Sequence, residues 1–264
     1  MKLVVLGSGS SVPHAERSAS GYWLETDAGR ILLDFSADVP HRMAAEGLDW
    51  TNIDAIWLSH FHLDHMGGLA PFLFGTRSAP EMKTRVKPLR IYGPVGFIKI
   101  IEAFDRSNNY RLLNQHFPVP LQEVAPGEKF EFLPELQAET FSTPHTRESL
   151  AIRLTDKTGT VLVYTSDTGY SESLSEFARG ASLLLLECSF HRNKPIQTHL
   201  ELADAMEVAR QSDPETLLLS HFFAEWDGTA IANIPKAAKE LWRGNTLAAF
   251  DGLRLEFKAM RTPA

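Results

Sequence analysis

Residues 59–69 read SHFHLDHMGGL, which places His60, His62, Asp64 and His65 within one short stretch beside Gly67 and Gly68. Imidazole and carboxylate are the side chains that ligate borderline divalent cations. His60 and His62, two positions apart in an extended segment, point to one side and suit a single metal. Asp64 and His65 follow as the chain turns toward a helix expected from Gly67, so they point elsewhere, and two directions imply two metals. The glycines carry no Cβ, which lets that helix start close under the metals. A carboxylate among the imidazoles lowers the cost of confining two dications and can orient an attacking water. The bland alternative is a solvated polar loop, but so many polar groups next to an apolar strand would be desolvated with no structural return.

Three further residues occupy the same kind of position. The run AIWLS stops before His60, AETFSTP before His145, VLVYTS before Asp167 and TLLLS before His221. Residues just past strand ends are held by a rigid sheet yet can point into a cleft. A lone His after a strand is more often a hydrogen-bonded loop residue than a ligand, so His145 and His221 count only through convergence with the cluster. His14, His41, His116 and His191 lack such a setting and read as surface or locally bonded residues. Cys188, after LLLLE, reads as a small buried hydrophobe rather than a soft ligand.

The elements that would position these groups are legible as short β-rich runs at 2–6, 21–24, 31–34, 55–59, 89–92, 129–133, 138–142, 150–154, 161–165, 183–187, 216–220 and 253–257. Helical patterns lie at 39–46, 67–76, 94–107, 174–179, 200–211 and 232–242. Early strands follow one another by turns, while later ones alternate with helices. The expected class is therefore α/β, with two mixed sheets face to face and helices outside, in one domain spanning 1–264. A net charge of −7 gives no global footprint for polyanion binding. No apolar run reaches the ~18 residues of a membrane span, the N-terminus has no signal-peptide core, and one cysteine permits no internal disulfide. A cytoplasmic location is the expectation.

The segment HFHLDH resembles the His-x-His-x-Asp-His signature of the metallo-β-lactamase fold superfamily, and His145, Asp167 and His221 follow in that superfamily's order. Within it the chain is most similar to ribonuclease Z and related phosphodiesterases. LGSGSSVPHAERSAS resembles their N-terminal strand and loop, YTSDTG their S-G-D-T turn, and LLSHF their final L-T-H-F. The resemblance implies a four-layer αβ/βα sandwich with two zinc ions, or Mn2+ or Fe, in the edge cleft. It implies His60, His62 and His145 on the first metal, Asp64, His65 and His221 on the second, and Asp167 bridging. It also matches Glu187 to the acidic position of the H-E-A-T loop and His199 to the histidine of the H-S-T loop.

On this reading Asp64 orients a hydroxide between dications about 3.5 to 4 Å apart. His199, backed by Glu187, protonates the leaving oxygen, and Arg17 is a candidate phosphate contact. Otherwise His199 is a first-turn surface residue of a helix that Thr198 caps. The long arm by which ribonuclease Z grips transfer RNA has no counterpart, since 93–121 leaves no room for it. D-C-G-x-G is DFSAD here, and the arginine-bearing tail after L-T-H-F is FFAEWDG. The expected activity is a zinc-dependent phosphodiesterase on a small or short single-stranded nucleic-acid substrate, with no membrane partner; homodimerisation stays open. The alternatives are a lactone, ester or thioester hydrolase on the same centre, and a metal-holding protein without turnover.

Overall fold

The computed structural model describes residues 1–259. The first sheet is laid down by β1 (Lys2–Gly7), β2 (Gly21–Thr26), β3 (Gly29–Leu33), β4 (Ala55–Trp57), β5 (Arg90–Pro94) and β6 (Leu121–Val124). The second holds β7 (Lys129–Leu133), β8 (Leu136–Ser142), β9 (Leu150–Asp156), β10 (Val161–Tyr164), β11 (Leu183–Glu187), β12 (Leu217–Ser220) and β13 (Thr246–Ala248). A last strand, β14 (Arg254–Glu256), returns to pair with β1. The orders are β14-β1-β2-β3-β4-β5-β6 and β13-β12-β11-β10-β9-β8-β7. Hairpins make β1–β3 and β7–β10 antiparallel; helical crossovers make β3–β6 and β10–β13 parallel. The sheets are mixed, as expected.

Strand periodicity sorts the core. Leu3 and Val5 join the cluster between the sheets, while Val4 and Leu6 face the other way onto α1 (Val39–Ala45) and its neighbours. The outer layers are α1, α2 (Leu63–Met66), α3 (Leu69–Thr76) and α4 (Phe97–Ser107) on one side, and α5 (Glu172–Phe177), α6 (Leu202–Ser212) and α7 (Ile234–Leu241) on the other. This is the αβ/βα sandwich.

Three expectations change. The helix expected from Gly67 is two helices, because α2 begins at Leu63 and ends where Gly67 and Gly68 carry the chain into α3. The strand expected through Ser59 stops at Trp57, because the Ser59 N–H donates to Asp34 Oδ1 at 2.7 Å instead of to a ladder partner. The helix after His199 begins at Leu202 and is capped by Glu201, whose carboxylate and that of Asp204 bond each other's backbone N–H; Thr198 is not its cap. Strands β6 and β13, of four and three residues, are additional to the expected runs.

The segment after β5 folds back onto the body through α4 and buries Leu112 and Phe117. No helix among the described residues is long and apolar enough to cross a membrane.

Candidate metal centre

Strand direction brings the ligand types together. β8 and β10 both pair antiparallel with β9, so they run the same way, and β11 and β12 follow β10 in parallel. The loops carrying His145, Asp167 and His221, and the end of β11 at Glu187, therefore lie along one edge of the second sheet. The loop after β4, with His60, His62, Asp64 and His65, meets them there. Leu150 N–H donates to Ser59 O at 3.0 Å and Phe222 N–H to Ser8 O at 2.9 Å, stitching the two sheets at this edge. Asp34, Ser166 and His221 sit at strand ends in the left-handed region, with φ of 59°, 52° and 60°. That conformation costs a non-glycine residue roughly 1–2 kcal/mol, so the surrounding structure holds them there.

Ligand atoms of His60, His62, His145 and Asp167 lie within 4.8 Å of one another, as do those of Asp64, His65 and His221. Asp167 faces both groups. Its Oδ1 is 3.3 Å from His65 Nε2 and 3.3 Å from His221 Nε2. Its Oδ2 is 3.5 Å from His145 Nε2 and 3.9 Å from His60 Nε2. Asp64 Oδ2 stands 3.7 Å from His65 Nε2 and 3.6 Å from His221 Nε2. His60, His65, Asp167 and His221 are buried, while His62 is exposed and Asp64 partly so; the centre opens to solvent on the α2 side.

The outward nitrogens settle the tautomers. Ser59 Oγ gives its proton to Asp34 Oδ2 at 2.8 Å, so it accepts from His60 Nδ1 at 3.0 Å. His65 Nδ1 donates to Asp34 Oδ2 at 2.6 Å, and His145 Nδ1 to the Thr198 carbonyl at 3.0 Å. Ser189 Oγ donates to Glu187 and accepts from His221 Nδ1 at 3.1 Å. Held so, each of the four aims its Nε2 inward, as a lone pair whenever the ring is neutral. His65 Nε2 and His221 Nε2 are 3.4 Å apart, and His60 Nε2 and Asp167 Oδ1 are buried with no hydrogen-bond partner among the described residues. Lone pairs and carboxylate oxygens facing one another are an unfavourable arrangement that cations between them would satisfy. Burial alone would lower the His65 pKa, yet Asp167 and Asp34 hold it well above the usual imidazole value. Positive charge is stabilised here. The donor set thus fits divalent metal.

His199 lies beside both groups. Its Nδ1 donates to Glu187 Oε1 at 3.0 Å, its ring stacks on His221 at 5.6 Å and 11°, and it packs edge-on to His145 at 4.7 Å. Burial opposes protonation of His199, but Glu187 outweighs it and raises the pKa. His199 also comes within ligand range of Asp167 and His221 and is buried, so it belongs to the centre rather than to the surface. Glu187 accepts as well from Thr168 N–H and from Leu200 N–H at 3.1 Å, which fixes its carboxylate.

Arg17 lies in the wall of a cleft that also includes Asp64, with its guanidinium bonded to Asp227. The glycines act differently from expectation. A Cβ on Gly68 would lie 2.1 Å from Ser36 O, and one on Gly67 2.4 Å from Leu63 O, so each admits neighbouring backbone rather than a metal. Of the histidines read as surface or locally bonded, His191 stacks on Trp226 at 4.7 Å and His14 approaches Asp227. Cys188 is fully buried in the core. The sequence reading passed over Asp34, which accepts from Ser59, His65 and Tyr164, although GRILLD shows the same apolar run ending in a polar residue.

A family profile described as Beta-lactamase superfamily domain matches residues 27–222. The Bacillus subtilis (strain 168) protein named Probable metallo-hydrolase YhfI is 27% identical over 256 residues, covering 96% of this chain and 98% of its own. Its crystal structure matches with a TM-score of 0.80 at 24% identity, over 96% and 98% of the two chains. Ribonuclease Z of Archaeoglobus fulgidus is 22% identical over 308 residues, 97% of each chain. A crystal structure described as a new diphosphatase from the PhnP family matches with a TM-score of 0.74 at 23% identity, over 98% of each chain.

Proposed function

Because the chain belongs to the beta-lactamase superfamily, we propose that it is a binuclear, zinc-dependent phosphodiesterase of the ribonuclease Z-like group, acting on a small or short single-stranded phosphodiester. The observation that carries this is Asp167, which turns one carboxylate oxygen to each of two donor groups. His60, His62 and His145 would hold one ion, Asp64, His65 and His221 the other, with Asp167 shared. Imidazole and carboxylate together suit Zn2+, while Mn2+ or Fe remain within the same donor chemistry. Two such ions supply Lewis-acid charge for the phosphate oxygens and make water a nucleophile near neutral pH.

The chain's own groups do the rest. Asp64, at the open side, orients the attacking water. His199 keeps its Nδ1 proton in the bond to Glu187 and delivers a proton from Nε2 to the leaving oxygen. Without Glu187 the ring could rotate and its burial would favour the neutral form. The printed names of the relatives, a ribonuclease Z and a diphosphatase, support a phosphate ester as substrate. The packed segment after β5 presents no arm for folded RNA, so recognition is local and a 3′-extended transfer-RNA precursor is expected to be cut poorly.

The test is an activity panel on metal-loaded protein with and without chelator, alongside elemental analysis. Bis(p-nitrophenyl) phosphate should be hydrolysed faster than p-nitrophenyl phosphate, a lactone or a β-lactam, with two ions per chain and loss of activity on chelation. A preference for the lactone would instead favour carboxylic-ester chemistry, and chelator-insensitive turnover would refute a metal mechanism.

A further inference from the structure

The loop between β1 and β2 and the turn after β12 meet at the mouth of the centre, and there the protein grips one of its own carboxylates. Glu16 N–H donates to His14 Nδ1 at 3.1 Å, which leaves the proton of a neutral His14 on Nε2. That Nε2 is 3.6 Å from Asp227 Oδ1, and Arg17 Nη2 bonds the same oxygen. The two sides of the pair differ in burial: the Arg17 side chain is 9% exposed and that of Asp227 43%. The cationic half is built into the wall, and the anionic half sits at the surface on a short turn. Asp227 does not satisfy Arg17 either, since Arg17 Nε is buried without a hydrogen-bond partner among the described residues. Together with Ser10, Ser11 and Asp64, His14 and Arg17 line a cleft of about 390 Å³, which meets the metal centre at Asp64.

Resting on the phosphodiesterase reading, we propose that His14 and Arg17 form a subsite for a second acidic group of the substrate, a terminal phosphate beside the scissile diester. Asp227 is its internal stand-in and leaves when the substrate arrives. With its anionic half at the surface, the pair is open to water on that side and displaceable. A phosphate monoester carries nearly two charges and three acceptor oxygens, and can engage Nε as well as Nη2 of a guanidinium, which one oxygen of Asp227 does not. The other carboxylates on the cleft are engaged elsewhere: Asp38 accepts from Ala19 N–H at 3.0 Å, and Asp64 faces His65 and His221. Asp227 thereby sets specificity, screening out ligands that bring no anion strong enough to replace it.

Two chromogenic diesters test this: thymidine 3′-(p-nitrophenyl phosphate) and the same compound bearing a 5′-phosphate. The quantity read is the ratio of their kcat/KM values, phosphorylated over unphosphorylated. The wild-type ratio should exceed one. Asp227→Asn, which keeps shape at a partly exposed position, should raise it about fivefold through KM, the range of an exposed ion pair. Arg17→Gln should remove the preference and abolish the Asp227→Asn effect in the double variant. A ratio unchanged by Asp227→Asn, or raised equally without Arg17, would overturn the subsite. If neither diester is hydrolysed, the phosphodiesterase reading fails and the subsite is read by calorimetric titration of inorganic phosphate into metal-loaded protein. Tighter binding in Asp227→Asn only when Arg17 is present supports it, and no difference refutes it.

Discussion

Replacing Asp34 by Asn would test whether the metal centre depends on a residue that touches no substrate. Asn tolerates the left-handed backbone that Asp34 adopts at φ 59° and has nearly the same volume, so the change is chiefly one of charge. Asp34 is fully buried and accepts four short bonds, from Ser59 N at 2.7 Å, Ser59 Oγ at 2.8 Å, His65 Nδ1 at 2.6 Å and Tyr164 OH at 2.6 Å. The best amide orientation keeps its oxygen toward the three donors on the Oδ2 side and sets its NH2 against the Ser59 N–H. One bond becomes donor facing donor, and three fall from charge-assisted to neutral. At ~1 kcal/mol for each, the loss is about 3 to 4 kcal/mol. His65 also loses the anion that fixes its tautomer, which should weaken metal binding by about 10- to 100-fold. Urea unfolding of the metal-free protein reads the first effect, and competition with a chromophoric chelator reads the second. A variant with wild-type metal affinity would show that Asp34 only stabilises the fold, and the argument from the Nδ1 bonds would be wrong.

Asp167→Ala should lower occupancy of both metal positions, because one carboxylate oxygen faces each group; elemental analysis finding two ions retained would remove its shared role. For His199→Ala the expected loss in kcat is about 10²- to 10⁴-fold with metal content intact. The loss should be smaller for a nitrophenolate than for an alkoxide leaving group, and equal losses would rule out proton donation. Gly68→Ala should destabilise by roughly 1–3 kcal/mol, since its Cβ would meet the Ser36 carbonyl and the Phe35 ring; a thermal melt unchanged from wild type would mean that the segment after β3 yields freely.

Much of this protein is determined by local pattern. The apolar runs of β1, β8 and β9, alternating in β8 and nearly continuous at β1 and at the start of β9, are long enough to be read directly. That is why His60, His145, Asp167 and His221 could be picked out as strand-end residues from spacing alone, and why Cys188, after the run LLLLE, reads as core. Local pattern did not reveal which strand ends face the same way, because direction depends on pairing partners far away in the chain: β8 joins β10 in orientation only through β9 between them. Nor could it show that His199 stands over His221, that Ser59 leaves its strand to bond Asp34, or that Arg17 closes on Asp227. Those are contacts between segments 25 to 210 residues apart for the latter two, made by single polar atoms that leave no periodic trace. Asp34 is the clearest case. Its residue type and its place after GRILL are visible in the sequence, but its function as the common acceptor for His65, Ser59 and Tyr164 exists only once two sheets bring those donors to one carboxylate.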